Sequence, residues 1–310
     1  MGRLPSAMRS LAGFAMRGPS QAALVAAGTA VLSLLLPLVA VVSSAIVALV
    51  TLRQGPRAGL VVVGGAGLGS AALVWIALGT PWPALGFLVV LWGPIWSLAL
   101  VLRATRSLNI TVLVTALLGL LILAGIHLAT DDPAAVWVGF MEPARLALVE
   151  GGLMDEPASR DLIAGLARWM TGAFAASLYG QFLLSLLLGR WWQAVLYNPG
   201  GFGEEFRALR LPRALGYFAL AMVGLRLLQP DAVGAYEGLI LLVPLLFAQG
   251  LAVAHGVRHA LGASVGWLVG VYVALVLVIP YAELLLLGIG FADLWVDVRG
   301  RLARAASDAR

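Results

Sequence analysis

The chain has no cysteine, no lysine and only three histidines among its 310 residues. Without cysteine there can be no disulfide, no thiolate metal site and no cysteine nucleophile. Charge of either sign is also scarce: 11% of residues are Asp, Glu or Arg, where a soluble domain carries about 25%. A further set of absences concerns chemistry. The sequence holds no His-Glu-x-x-His, no phosphate-loop Gly-Lys-Ser/Thr and no paired intramembrane aspartates, and the chain reads as a non-enzyme without a cofactor or metal. His255 and His259 stand four apart, but Arg258 lies between them and no carboxylate is near, so they read as surface residues.

What is present is apolar. Hydrophobic residues make up 61% of the chain, with a mean hydropathy of +0.98, and they come in long uncharged runs such as 58–102 and 107–130. Runs of more than about 18 apolar residues are membrane spans. Lipid offers no partner for backbone polar groups, so such runs must be helices or strands of a closed barrel. Barrel strands alternate polar and apolar residues, and these runs do not. The expected fold is an all-α polytopic transmembrane bundle.

The arginines orient it. Basic residues concentrate in cytoplasmic loops of bacterial membrane proteins. Arg3, Arg9 and Arg17 place an interfacial N-terminus (1–19) inside, and Arg53 and Arg57 return the chain there. The run between them therefore breaks into two short helices at Pro37, each of roughly 16 residues and roughly 24 Å. A span near 58–79, a turn at Thr80-Pro81-Trp82-Pro83 and a return to Arg103 and Arg106 follow, and a fifth span near 109–129 completes an N-terminal group, 20–129. The segment 130–168 holds seven acids against three arginines and reads as outer, amphipathic and membrane-surface bound. The group 169–297 contains a cytoplasmic loop, 190–213, and a last run broken at Pro280, ahead of a tail, 298–310, with Arg299, Arg301 and Arg304 inside. The expectation is about 8–10 membrane segments with both termini cytoplasmic, in a bacterial inner membrane. The net charge of +5 sits in these short loops, so the partner is a lipid bilayer and not nucleic acid.

Ionisable residues within spans are functional candidates, because a charge in lipid is costly. Arg226, His127 and Glu283 qualify, all in the outer half by this topology. Arg226 and Glu283 are expected to pair, or to face an outward cavity with Gln229, Tyr236 and Glu237; Tyr179 joins them as a candidate small-molecule-binding residue. Bland alternatives stand beside these: Arg226 snorkelling to the interface, His127 capping a helix end, and Tyr179, Gln181 and Gln249 hydrogen-bonding between helices. Trp191, Trp192, Tyr197 and Phe202 mark a face on loop 190–213 for a cytoplasmic protein partner, with interfacial anchoring as the alternative for the first three. Ala22, Ala26 and Ala30 form a small-residue face for a membrane partner. Asn198-Pro199-Gly200-Gly201-Phe202-Gly203 reads as a sharp turn before a short amphipathic stretch, 204–211.

The stretch Gly189-Arg190-Trp191-Trp192-Gln193-Ala194-Val195-Leu196-Tyr197-Asn198-Pro199-Gly200-Gly201-Phe202 resembles the signature loop of the YybS-like family of bacterial multispanning membrane proteins. Gly290-Phe291-Ala292-Asp293-Leu294-Trp295, followed by Asp297 and Arg299, is similar to that family's ending. More distantly, Leu52-Arg53-Gln54-Gly55-Pro56-Arg57-Ala58-Gly59-Leu60 resembles a turn between early spans of the S components of energy-coupling-factor vitamin transporters. In such proteins a small-residue helix face like Ala22, Ala26 and Ala30 meets the transmembrane partner. The resemblance implies a transporter-like, substrate-binding membrane component; the rival expectation is a non-transporting scaffold working through loop 190–213.

Overall fold

A computed structural model describes residues 6–301; Arg3 and Arg304 lie outside the described residues, as does most of the tail 298–310. The chain is 85% helical, with no strand among the described residues. In order the helices are α1 (Ser6–Ala15), α2 (Pro19–Leu32), α3 (Val39–Gln54), α4 (Pro56–Leu78), α5 (Trp82–Gly86), α6 (Gly93–Thr105), α7 (Leu108–Ala129), α8 (Pro133–Glu150), α9 (Glu156–Tyr197), α10 (Gly201–Arg207), α11 (Ala214–Leu228), α12 (Val233–Ala260), α13 (Val265–Leu277) and α14 (Tyr281–Val296). A π-helical segment, Phe87–Trp92, makes α5 and α6 one rod.

Five of these rods are long and apolar enough to cross a membrane: Pro56–Leu78, Trp82–Thr105, Leu108–Ala129, Glu156–Tyr197 and Val233–Ala260. Only 22% of the most apolar stretch of α7 is buried within the protein, and Leu120, Leu121 and Leu128 stand exposed along it. Apolar surface on that scale is stable against lipid and not against water. The chain is accordingly a membrane-embedded helical protein.

The helices form two compact units: residues up to Thr115 with Gly180–Phe206, and Ala116–Tyr179 with the residues from Arg207 onward. In the first unit α3 is the central helix, buried on every side from Ser43 to Leu52. The run around Pro37 is a hairpin: α2 and α3 are separate helices joined by turn residues 33–38. They are held by the Ser43 hydroxyl donating to the Ala26 carbonyl at 2.7 Å, and the Trp92 indole donates in turn to Ser43 at 3.0 Å. Small residues set the spacing. A Cβ on Gly65 would lie 3.0 Å from Ala23, and one on Gly189 would lie 2.8 Å from the Ala45 carbonyl oxygen, so the helix backbones approach closely.

In the second unit α12 and α14 pack closest. A Cβ on Gly290 would fall 2.0 Å from the Leu246 carbonyl oxygen, and one on Gly250 2.1 Å from that of Leu286. Neither glycine has room for any side chain. α13 carries no buried residue, so its apolar surface is left to lipid.

The membrane-adjacent segments differ from the sequence expectation in extent. The span expected near 169–189 is part of a 42-residue helix, α9, which starts in the acidic segment and continues through Trp191 and Trp192 to Tyr197. Pro157 falls in its first turn, where its missing N–H is tolerated. Nothing stops it until Asn198-Pro199-Gly200, where Gly200 adopts φ 95°. The first eight residues of loop 190–213 are therefore helix. The amphipathic stretch expected at 204–211 begins earlier, as α10, and ends at Arg207. The rest of the acidic segment is α8, capped by Asp132 accepting from the Ala135 amide at 3.0 Å.

Candidate functional site

The last turn of α11 carries Arg226, where a cation complements the carbonyl end of the helix. The helix stops at Leu228 because Pro230 disfavours helical backbone at Gln229, which sits at φ −132°, ψ 86°. The turn that follows opens a pocket of about 590 Å³ within the second unit, lined by Arg168 and Trp169 of α9, Arg226, Asp231 and the α12 residue Tyr236 among others. The Arg226 guanidinium lies 5.1 Å from the centre of the Tyr236 ring, a cation–π contact that holds the charge at the pocket wall without neutralising it. Two arginines face one aspartate there.

The other expected site residues are placed differently. Glu283 is exposed in the first turn of α14, where a carboxylate suits the positive end of a helix, and no ion pair joins it to Arg226 among the described residues. Tyr179 is fully buried. Its hydroxyl donates to the Leu241 carbonyl and its ring packs on Gly119, so it is an interhelical tie and does not line the pocket. Gln229 is exposed beside the turn. Glu237 follows Tyr236 by one residue, about 100° around the helix, and so turns into the protein. It is buried against Gly172, and His127 Nε2 meets its Oε2 at 2.9 Å. His127 is thus the partly open partner of a buried carboxylate.

A second polar constellation was only half visible in the sequence. Asp293 of α14 accepts from Arg299 at 2.7 Å and from Gln249 at 2.8 Å on Oδ2, and from the Val298 amide at 3.0 Å on Oδ1. Gln249 in turn accepts from the Leu211 amide at 3.1 Å, and Arg299 donates to the Arg207 carbonyl at 2.6 Å. All three side chains are buried. Gln249 plays the hydrogen-bonding part expected of it, but Asp293 and Arg299 are its partners, and only their place in the Gly290–Trp295 stretch and the tail hinted at them.

On the expected partner faces, Trp192 is fully buried, Trp191 is half-buried, and Phe202, also half-buried, stacks on Phe206 with ring centres 5.6 Å apart. Tyr197 is exposed and lies under Arg53, 4.1 Å from ring centre to guanidinium. Ala22, Ala26 and Ala30 are buried: the small-residue face is covered by helices of this same chain, because α3 and α4 approach α2 there. His255 meets the Tyr272 hydroxyl at 2.9 Å. No family model, curated protein or solved structure matches the chain.

Proposed function

We propose that the protein is a transporter-like membrane component that binds a small anionic or zwitterionic molecule in the pocket around Arg226, without carrying out chemistry on it. The observation that carries this is the Arg226 guanidinium, without an ion-pair partner among the described residues, held against Tyr236 in a pocket of about 590 Å³, a size in the range of small-molecule sites. Arg168 adds a second cation, and Trp169 and Tyr236 supply apolar walls. Glu283, Tyr179, Gln229 and Glu237 drop out of direct contact in this reading.

The reading includes an orientation: both termini cytoplasmic, about 8–10 membrane segments, and the Arg226 pocket opening outward in a bacterial inner membrane. Its support is the arginine bias at Arg53, Arg57, Arg103, Arg106, Arg190, Arg207, Arg210 and Arg213 against the acidic segment 130–168. The sequence resemblance to the YybS-like family and to S components points the same way. Scaffolding through 190–213 has less free surface to work with, since Trp192 is buried and Phe202 is stacked on Phe206.

Native mass spectrometry of protein gently extracted from its own membrane tests the proposal. A retained small anion that is lost in Arg226→Ala and Tyr236→Ala, with melting temperature unchanged, is the expected result. Retention at the wild-type level in both variants overturns the pocket assignment.

A further inference from the structure

The first unit holds a cleft that the proposed binding site does not use. It occupies about 390 Å³ and is lined by Leu52, Leu102, Arg103, Arg106, Arg190, Gln193 and Glu205. These residues come from the last turns of α3 and α6, the final third of α9, and α10. Three guanidinium groups thus face one carboxylate at one end of the unit.

Two of the three are held in place. Arg103 donates to the Leu52 carbonyl at 2.7 Å, one of the acceptors that the end of α3 leaves without an intrahelical partner. Arg190 grips Glu205 with two nitrogens, Nε to Oε2 at 2.9 Å and a second bond to Oε1. A guanidinium has five N–H donors, so each keeps donors to spare. Arg106 has no ion-pair or side-chain hydrogen-bond partner among the described residues. It ends α6 at φ 52°, a left-handed conformation in which glycine is the usual residue. The chain holds an arginine where glycine would be easier for the backbone, and that arginine faces a cleft already lined by two fixed cations.

We infer that the Arg103–Arg106–Arg190 cleft binds a phosphate-bearing anion. Its positive charge exceeds what Glu205 offsets, and preset guanidinium forks match phosphate oxygens. Two sources carry this chemistry: the headgroup phosphate of an anionic lipid, which basic pockets at the ends of membrane helices take up, and free inorganic phosphate from the adjoining solution. The inference concerns a different unit and different residues from the Arg226 pocket and stands independently of it.

The test uses the full chain, delipidated in detergent and titrated separately with phosphatidylglycerol and with inorganic phosphate, with binding read by native mass spectrometry. Arg106→Gly and Arg106→Gln are compared with wild type; both keep the fold, since Arg106 is exposed and glycine suits its backbone. Each is expected to weaken binding about five-fold, the effect of one arginine at a membrane surface. A phosphatidylglycerol adduct that inorganic phosphate does not displace supports the site with lipid as the source. Phosphate binding without a lipid adduct supports it with the free ion as the source. No binding of either by wild type, or unchanged binding in both folded variants, overturns it.

Discussion

Glu237 and His127, 110 residues apart in the chain, meet at 2.9 Å, with the carboxylate buried and the imidazole partly open. A buried acceptor deprived of its partner costs about 1–3 kcal/mol, more for a charged group. His127→Ala is therefore expected to destabilise the protein by at least that amount in a detergent melt. Adding Glu237→Gln to that variant removes the stranded charge and should recover part of the loss. A double variant whose loss equals the sum of the His127→Ala and Glu237→Gln losses measured singly would mean the pair carries no coupling.

The contact between α12 and α14 leaves no volume at its centre. Gly290→Ala places a methyl 2.0 Å from a backbone oxygen, so the helices must separate, at a cost of about 1–3 kcal/mol or more. Gly288, two residues away, meets nothing within 4 Å, and alanine there should be neutral or slightly stabilising. Thermal unfolding of the two variants side by side separates close packing from a general intolerance of α14 to substitution.

Asp293 and Arg299 form a buried ion pair; Gln249 and the Val298 amide also donate to Asp293, and Arg299 also donates to the Arg207 carbonyl, while its Nε is buried without a hydrogen-bond partner among the described residues. Removing one partner of such a pair costs about 3–5 kcal/mol. Arg299→Ala is expected to lose that much in chemical denaturation. Asp293→Asn keeps an acceptor for Val298 and should lose less. Equal losses in the two variants would count against the pair as the source.

Outside the spans, Arg145 pairs with Glu142 one turn earlier on α8, at 2.7 and 2.9 Å, and ties that helix to the start of α9 through Glu156, at 3.2 Å. The Arg145 hydrogen bonds hold the Glu142 carboxyl below the usual carboxylate range, with burial opposing and the nearby arginine charges assisting. A carboxyl lowered in the folded state binds fewer protons there than in the unfolded chain. Its contribution is then complete above the ordinary carboxylate pKa and is lost as pH falls through the lowered value. Hydrogen exchange in α8 should accelerate on that acidic side, and Glu142→Gln should flatten the dependence. An unaltered pH profile in the variant would assign the effect elsewhere.

The helical class and the chain breaks could be seen in the sequence because they rest on local causes. Uncharged runs force helices, and the breaks at Pro37 and Pro280 appear as the turn before α3 and the start of α14. The length of α9 could not be seen, because charge content suggested an edge at 168 while the backbone had no reason to stop before Asn198. At the pocket, Arg226 and Tyr236 were legible as an intramembrane cation and a neighbouring aromatic. Arg168 and Asp231 were not, since each looks like an ordinary interfacial charge until α9 and the turn after α11 meet. Glu283 illustrates the opposite error: an acid at a helix start fits solvent and needs no distant arginine.

The Asp293 network also bears on how the chain is made. Gln249 and the backbone of residues 207–211 reach the membrane well before residues 293–299 have been synthesised, and until then the Gln249 amide and the Arg207 carbonyl lack the partners that complete them. The second unit therefore cannot close early. A nascent chain halted before residue 293 should still thread its spans, yet remain open to proteases around 207–213, so α14 and the residues just after it act as the latch that closes the second unit.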